Sequence, residues 1–241
     1  MRVALFVTCL ADQLWPSVGT SAVQVLRRAG CEVTFDDRQT CCGQPAFNTG
    51  YRAPARDLAK RFIEVYEANP AEAIVAPSGS CAAMIGHYED LFTEDPEWRA
   101  RARAVAERTH EFSAFLVHVL GVEDVGAYFP GRVAWHDACH ALRDLGIKSE
   151  PRRLLSHGRG AELVALAKAE ACCGFGGTFS VKYPEVSTAI VDHKVDAIEE
   201  AGIDVIVSAD ASCLMQIGGR LSRRGSPVRT MHLAEVLAST P

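Results

Sequence analysis

No stretch of this 241-residue chain approaches the roughly 18 consecutive apolar residues of a membrane span, because Asp, Arg, Gly or Pro interrupts every hydrophobic run. Positive charge is not in excess. The 25 Lys and Arg stand against 30 Asp and Glu, a formal net charge of -5, which removes the electrostatic basis for binding nucleic acid or an anionic membrane. A dinucleotide signature is missing too: Gly174, Gly176 and Gly177 follow a cysteine pair rather than opening a G-x-G-x-x-G turn, which argues against an NAD or flavin dehydrogenase. The opening MRVALFVTCLA resembles a very short signal peptide ending in a lipoprotein-type Cys9. Yet only a few apolar residues precede that cysteine, fewer than the roughly 7 to 15 of an h-region. The expected setting is therefore cytoplasmic and reducing, where clustered thiols bind metal or do redox work more often than they form structural bridges.

What the chain does have is nine cysteines, and eight of them obey one rule. Cys9, Cys41, Cys42 and Cys81 recur as Cys139, Cys172, Cys173 and Cys213, which lie 130, 131, 131 and 132 positions further on. Neighbours repeat as well: Cys41-Cys42-Gly43 is answered by Cys172-Cys173-Gly174, and Ser80-Cys81 by Ser212-Cys213. Thr109 to Leu116 aligns with Thr230 to Leu237, each apolar-patterned and read as a closing helix. The length then divides into two tandem repeats, 1–121 and 122–241. The main asymmetry is the charged, helically patterned segment 87–105, expected to be a solvated helix.

Short β-branched runs at Val3 to Val7 and Val133 to Trp135 read as buried strands that lead straight into a cysteine. Ser17 to Ala29 and Arg152 to His157 read as helices stopped by Gly30 and Gly158, with second strands at Glu32 to Phe35 and Glu162 to Leu166. Helices at Arg56 to Ala68 and Pro184 to Ala201 follow the cysteine pairs, and third strands at Ala73 to Ala76 and Asp204 to Ser208 precede the last cysteines. Such alternation predicts an α/β fold: two pseudo-symmetric repeats, each a small parallel sheet flanked by helices, packed into one globule. In a parallel sheet, ligands gather beyond the carboxyl ends of strands, where all the repeated cysteines fall.

Four thiols per half is the ligand number of a tetrahedral zinc site or of an iron–sulfur cluster. Structural zinc usually takes two short C-x₂₋₄-C knuckles, whereas the diverging side chains of adjacent cysteines suit different irons of one cluster better. Zinc stays open as the alternative, with a thiol-disulfide module as its variant. A vicinal disulfide would be strained and would leave the other thiols unexplained. Cys31 lies outside the repeat and reads as a small core residue.

The repeated Cys, Cys-Cys-Gly, Cys pattern resembles the duplicated cysteine-rich CCG domain found in heterodisulfide reductase and in the glycolate oxidase iron–sulfur subunit. No ferredoxin-type C-x₂-C-x₂-C-x₃-C run precedes it. Together with Pro77-Ser78-Gly79-Ser80-Cys81 and Phe175-Gly176-Gly177-Thr178-Phe179, this brings the chain nearest to the lactate-utilisation iron–sulfur proteins of that family. The resemblance implies an electron-transfer subunit in the oxidation of a small hydroxy acid, L-lactate, to pyruvate. It implies one [4Fe–4S] cluster per repeat, and partners comprising a ferredoxin-like iron–sulfur protein and a third subunit. It also implies an acceptor such as a quinone, reached at the membrane through those partners, with the substrate-oxidising centre here or on a partner.

Departures from the pattern mark further residues. The heterodisulfide reductase chain of this family ends each repeat in C-x₂-C, and here Ser78 and Asp210 stand at the first of those positions. Asp210 is a candidate oxygen ligand, Ser78 a weaker one. His136, Asp137 and His140 flank Cys139, where the first half has Thr8 and Leu10, and are candidates for ligation or for N–H···S contacts that tune a potential. His193 reads as a surface residue.

Overall fold

Each half of the chain builds a four-stranded, fully parallel sheet. In the computed structural model, which describes residues 1–241, the first sheet comprises β1 (Arg2–Leu5), β2 (Glu32–Phe35), β3 (Ala73–Ala76) and β4 (Thr109–Glu111) in the spatial order β2-β1-β3-β4. The second comprises β5 (Tyr128–Trp135), β6 (Arg159–Leu163), β7 (Val205–Ser208) and β8 (Arg229–His232) in the equivalent order β6-β5-β7-β8. The central strands AIVA and VIVS are buried at every position, the mark of a parallel strand covered by helices on both faces. Registers match across the repeat. Leu5 pairs with Val75 and Trp135 with Val207, and in the next step the N–H of Phe6 donates to the Val75 carbonyl (2.9 Å) as that of His136 does to Val207 (2.8 Å).

The halves share a core. The largest apolar cluster takes Leu26, Phe112 and Phe115 from the first half and Trp135, Leu154 and Leu237 from the second. Each such side chain contributes about 1.5–3 kcal/mol on burial. Helix Leu233–Ala238, at the end of the second half, lies on helix Pro16–Arg28 of the first, and Arg28 donates to the carbonyls of Val125, Leu237 and Ala238 at 3.0–3.2 Å. His232 adds a buried staple: its Nε2–H is shared between the carbonyls of Pro77 (3.0 Å) and Ala209 (2.9 Å), while Nδ1 accepts from Ala234 N–H.

Three local expectations need correction. Thr109–Leu116 and Thr230–Leu237 are not single helices, for each opens with an edge strand, β4 or β8, before its helical turns begin. The outer edges of β3 and β7 are buried and their backbone groups require partners, a need that strands of three or four residues meet without showing a period-2 pattern. Segment 87–105 is more than a solvated helix. Its turn Tyr88–Phe92 and helix Pro96–Glu107 bury Tyr88, Leu91, Phe92, Ala102 and Val105, while Arg101 pairs with Glu67 outside. Finally, β6 begins at Arg159 rather than Glu162.

At the meeting of the halves, helix Gly79–Gly86 packs on helix Cys139–Arg143 so closely that a Cβ on Gly79 would lie 2.5 Å from Ala141 Cβ. Gly79→Ala should therefore lower stability by about 1–3 kcal/mol through overpacking. Gly86→Ala, at the exposed end of the same helix with nothing within 4 Å, should be neutral or slightly stabilising. Urea unfolding of the two variants checks this, and equal midpoints would refute the close contact.

Candidate metal centre

In the order β2-β1-β3 the chain reverses direction across the sheet between β1 and β3, opening a crevice beyond their carboxyl ends. Cys9 is the first residue of the helix after β1, Cys81 the third residue of the helix after β3, and Cys41-Cys42 sits in the loop after β2. Cys139, Cys213 and Cys172-Cys173 repeat the arrangement after β5, β7 and β6. The two crevices face one another. All eight thiols line a single cavity of about 410 Å³ between the sheets.

Within it the sulfurs approach in pairs: Sγ of Cys9 and Cys41 at 3.6 Å, Cys42 and Cys81 at 3.4 Å, Cys173 and Cys213 at 3.1 Å, none of them in a disulfide. Gly43 and Gly174 turn the backbone at φ of 87° and 84° and point their N–H groups at Cys41 Sγ (3.4 Å) and Cys172 Sγ (3.3 Å). Hydrogen bonds from Cys42 and then Cys9 bring the Cys41 thiol down to about 3, whereas burial first of all raises Cys139. Loading such a site with metal displaces the remaining thiol protons. The donor set fits a thiolate-bound metal or iron–sulfur group, and Cys9, Cys41, Cys42 and Cys81 could hold one and Cys139, Cys172, Cys173 and Cys213 another.

The remaining singled-out residues divide. Asp210 lines the cavity, but its carboxylate accepts from Ser78 Oγ (2.7 Å), Ser80 Oγ (2.6 Å) and Ser80 N–H (3.2 Å), so it ties the two halves together at the cavity wall. Ser78 also caps its helix by accepting from Cys81 N–H at 3.2 Å. His140 lines the cavity and its Nδ1 is paired with Asp144 at 2.6 Å. Asp137 is buried and turned elsewhere, receiving two bonds of 2.7 Å from Arg152 and one of 2.9 Å from Trp135 Nε1. His136 lies near the sulfurs: a ring nitrogen, Cys173 Sγ and Cys213 Sγ are within 4.8 Å of one another. Burial, and next the Lys194 charge, lower the imidazole to about 3, so it is neutral. His193 is exposed, and Cys31 is in the apolar core.

Two buried neighbours of the cysteine loops escape motif reading. Tyr88, from the segment without counterpart in the second half, donates its hydroxyl to the Cys42 carbonyl at 2.8 Å. Lys194 is fully buried, its Nζ donating to the carbonyls of Lys168 (2.5 Å) and Ala169 (2.8 Å) in the loop that leads to Cys172. Burial lowers its ammonium to about 8 against the opposing pull of Asp137 and the nearby thiols. Its signal in the sequence is a lone cation in the apolar stripe Val191, Val195, Ile198.

Comparison with known proteins agrees with this geometry. Residues 3–86 and 133–218 each match the cysteine-rich CCG domain. The chain is 54% identical over 236 residues to the Lactate utilization protein A of an Exiguobacterium strain, covering 98% of this chain and 96% of that one. To the protein of that name from Bacillus subtilis it is 48% identical over 239 residues, covering 99% and 100%. Among solved structures, a hypothetical protein from Helicobacter pylori superposes with a TM-score of 0.70 at 12% identity, covering 98% of this chain. This chain spans 48% of that protein's length, and the likeness is one of fold. With both its halves matched and the cysteines of both meeting at one cavity, the chain belongs to the cysteine-rich CCG domain family.

Proposed function

We propose that the protein is an iron–sulfur electron-transfer subunit of a system that oxidises L-lactate to pyruvate. One [4Fe–4S] centre is held by each cysteine set, within repeats 1–121 and 122–241. The observation that carries the reading is the cavity itself. A lone zinc ion bound by four sulfurs at about 2.3 Å is enclosed by its ligands and needs no adjoining space, whereas eight free thiols around 410 Å³ suit polyatomic clusters. Bound there, the clusters would supply reversible one-electron chemistry. The names of the relatives support the lactate assignment.

Substrate oxidation itself is assigned to a partner. No Lys or Arg lines the cavity, its one imidazole, His140, is already paired with Asp144, and Asp210 adds negative charge to the wall, so the carboxylate of a hydroxy acid has no unpaired counter-ion there. The chain's residues instead hold thiolates, shield them and fix their spacing. Its partners are then a ferredoxin-like iron–sulfur protein and a third subunit that handle substrate and acceptor. No helix is long and apolar enough to cross a membrane, so contact with a quinone pool would run through them.

Anaerobic purification with metal and acid-labile sulfide analysis tests the cofactor: about eight iron and eight sulfide per chain are expected, falling by about half in Cys42→Ser and again in Cys173→Ser alone. Stoichiometric zinc without sulfide would overturn the reading in favour of a zinc module. In the native host, deletion of the gene should abolish growth on L-lactate, and the Cys42→Ser gene should fail to restore it. Undiminished growth of the deletion strain would sink the pathway assignment.

A further inference from the structure

Resting on the iron–sulfur reading, we infer that the two centres are unequal: the centre on Cys139, Cys172, Cys173 and Cys213 is the more oxidising one, and Lys194 and His136 make it so. The pseudo-symmetry shows what each half places behind its thiols. Phe6 and His136 occupy equivalent positions, since their N–H groups donate to the equivalent carbonyls of Val75 and Val207. The helices behind the cysteine pairs are in register as well. Gly43 abuts the Ala55 carbonyl and Leu58 Cβ, and Gly174 abuts the Ser187 carbonyl and Ile190 Cβ. Four residues beyond Leu58 stands Phe62, and four beyond Ile190 stands Lys194.

One half thus has an aromatic pair where the other has two nitrogen bases. Phe6 and Phe62 meet edge to face with centroids 5.0 Å apart, and Phe62 continues into Tyr66 (4.4 Å) and Tyr88 (5.6 Å). In the second half an imidazole and an ammonium group, both buried, take those two places. Neither ring nitrogen of His136 makes a well-formed hydrogen bond within the protein, the Ala169 backbone being its nearest candidate, and the ring lies against Cys173 and Cys213. A buried N–H left unpaired is costly, and a thiolate or sulfide at the second centre supplies the missing acceptor. Lys194 spends two of its three N–H groups on the Lys168 and Ala169 carbonyls, which fixes its charge beside the loop to Cys172.

The surrounding anions do not cancel this difference. Asp137, whose charge also reaches Lys194, is paired by two bonds with Arg152, so the three groups together keep one net positive charge. Asp210 touches Ser78 and Ser80 on the helix that carries Cys81 and precedes the helix that carries Cys213, so its charge weighs on both centres. Reduction adds one negative charge to a centre, and a buried cation with an N–H donor favours that state where an aromatic wall does not. With clusters bound by both cysteine sets, the second would be the favoured acceptor of one electron from the first, the first being oxidised and the second reduced, with no bond or proton transferred.

Redox titration of the full, anaerobically purified chain, followed by electron paramagnetic resonance alongside iron and sulfide content, tests the inference. Two midpoints are expected, and Cys42→Ser should remove the lower. Lys194→Gln keeps an N–H donor for the two carbonyls but loses the charge, and His136→Phe installs the first-half residue; each should shift the upper midpoint downward and leave the lower in place. Fully loaded variants with an unmoved upper midpoint, or loss of the upper signal in Cys42→Ser, would overturn the inference alone. A wild-type chain without iron and sulfide would overturn the iron–sulfur reading, and this inference with it.

Discussion

The buried carboxylate of Asp210 governs the arrangement of the site. It accepts three hydrogen bonds from Ser78 and Ser80 across the boundary between the two sheets, beside the tight seat of Gly79 on Ala141 and the His232 staple. A carboxylate taken out of water is tolerated only when its oxygens are well bonded, so the serines and the aspartate hold each other in one geometry. That geometry sets the carboxyl ends of both sheets face to face. The positions that C-x₂-C motifs fill with a fifth thiol in heterodisulfide reductase here serve to dock the repeats.

From this docking follow the other properties of the centre. Three strand ends per sheet deliver cysteines separated by up to 72 positions in the first half and 74 in the second to one place, and helix N-termini and the Gly43 and Gly174 amides lend them partial positive charge. Duplication then yields two such sets on one cavity. What duplication leaves free to vary is the wall behind the thiols, aromatic in one half and basic in the other. The segment 87–105 contributes to the first wall through Tyr88, which makes it part of the centre's support as well as a surface helix.

Much of this is legible in the sequence, and the unread part has physical causes. The cysteine spacing and the strands that lead into it are visible because ligand position and β-branched runs are local features. The edge strands β4 and β8 are too short to carry a period, and only the backbone needs of β3 and β7 call for them. The shared cavity depends on contacts such as Ser78 with Asp210, 132 positions apart, for which no local pattern exists. Lys194 is legible in principle as a cation at a core position of an amphipathic helix. The neighbouring His193 is a more conspicuous metal-ligand type, yet it is exposed.

The central claim is that both cysteine sets hold redox centres on one cavity, hence close to each other. Electron paramagnetic resonance of the fully loaded, fully reduced chain tests it most directly. Two reduced paramagnetic centres facing one another across 410 Å³ should give a spectrum split and broadened by spin–spin coupling, and the splitting should vanish when either set alone is loaded. Two sharp signals that simply add, at full iron and sulfide content, would contradict it.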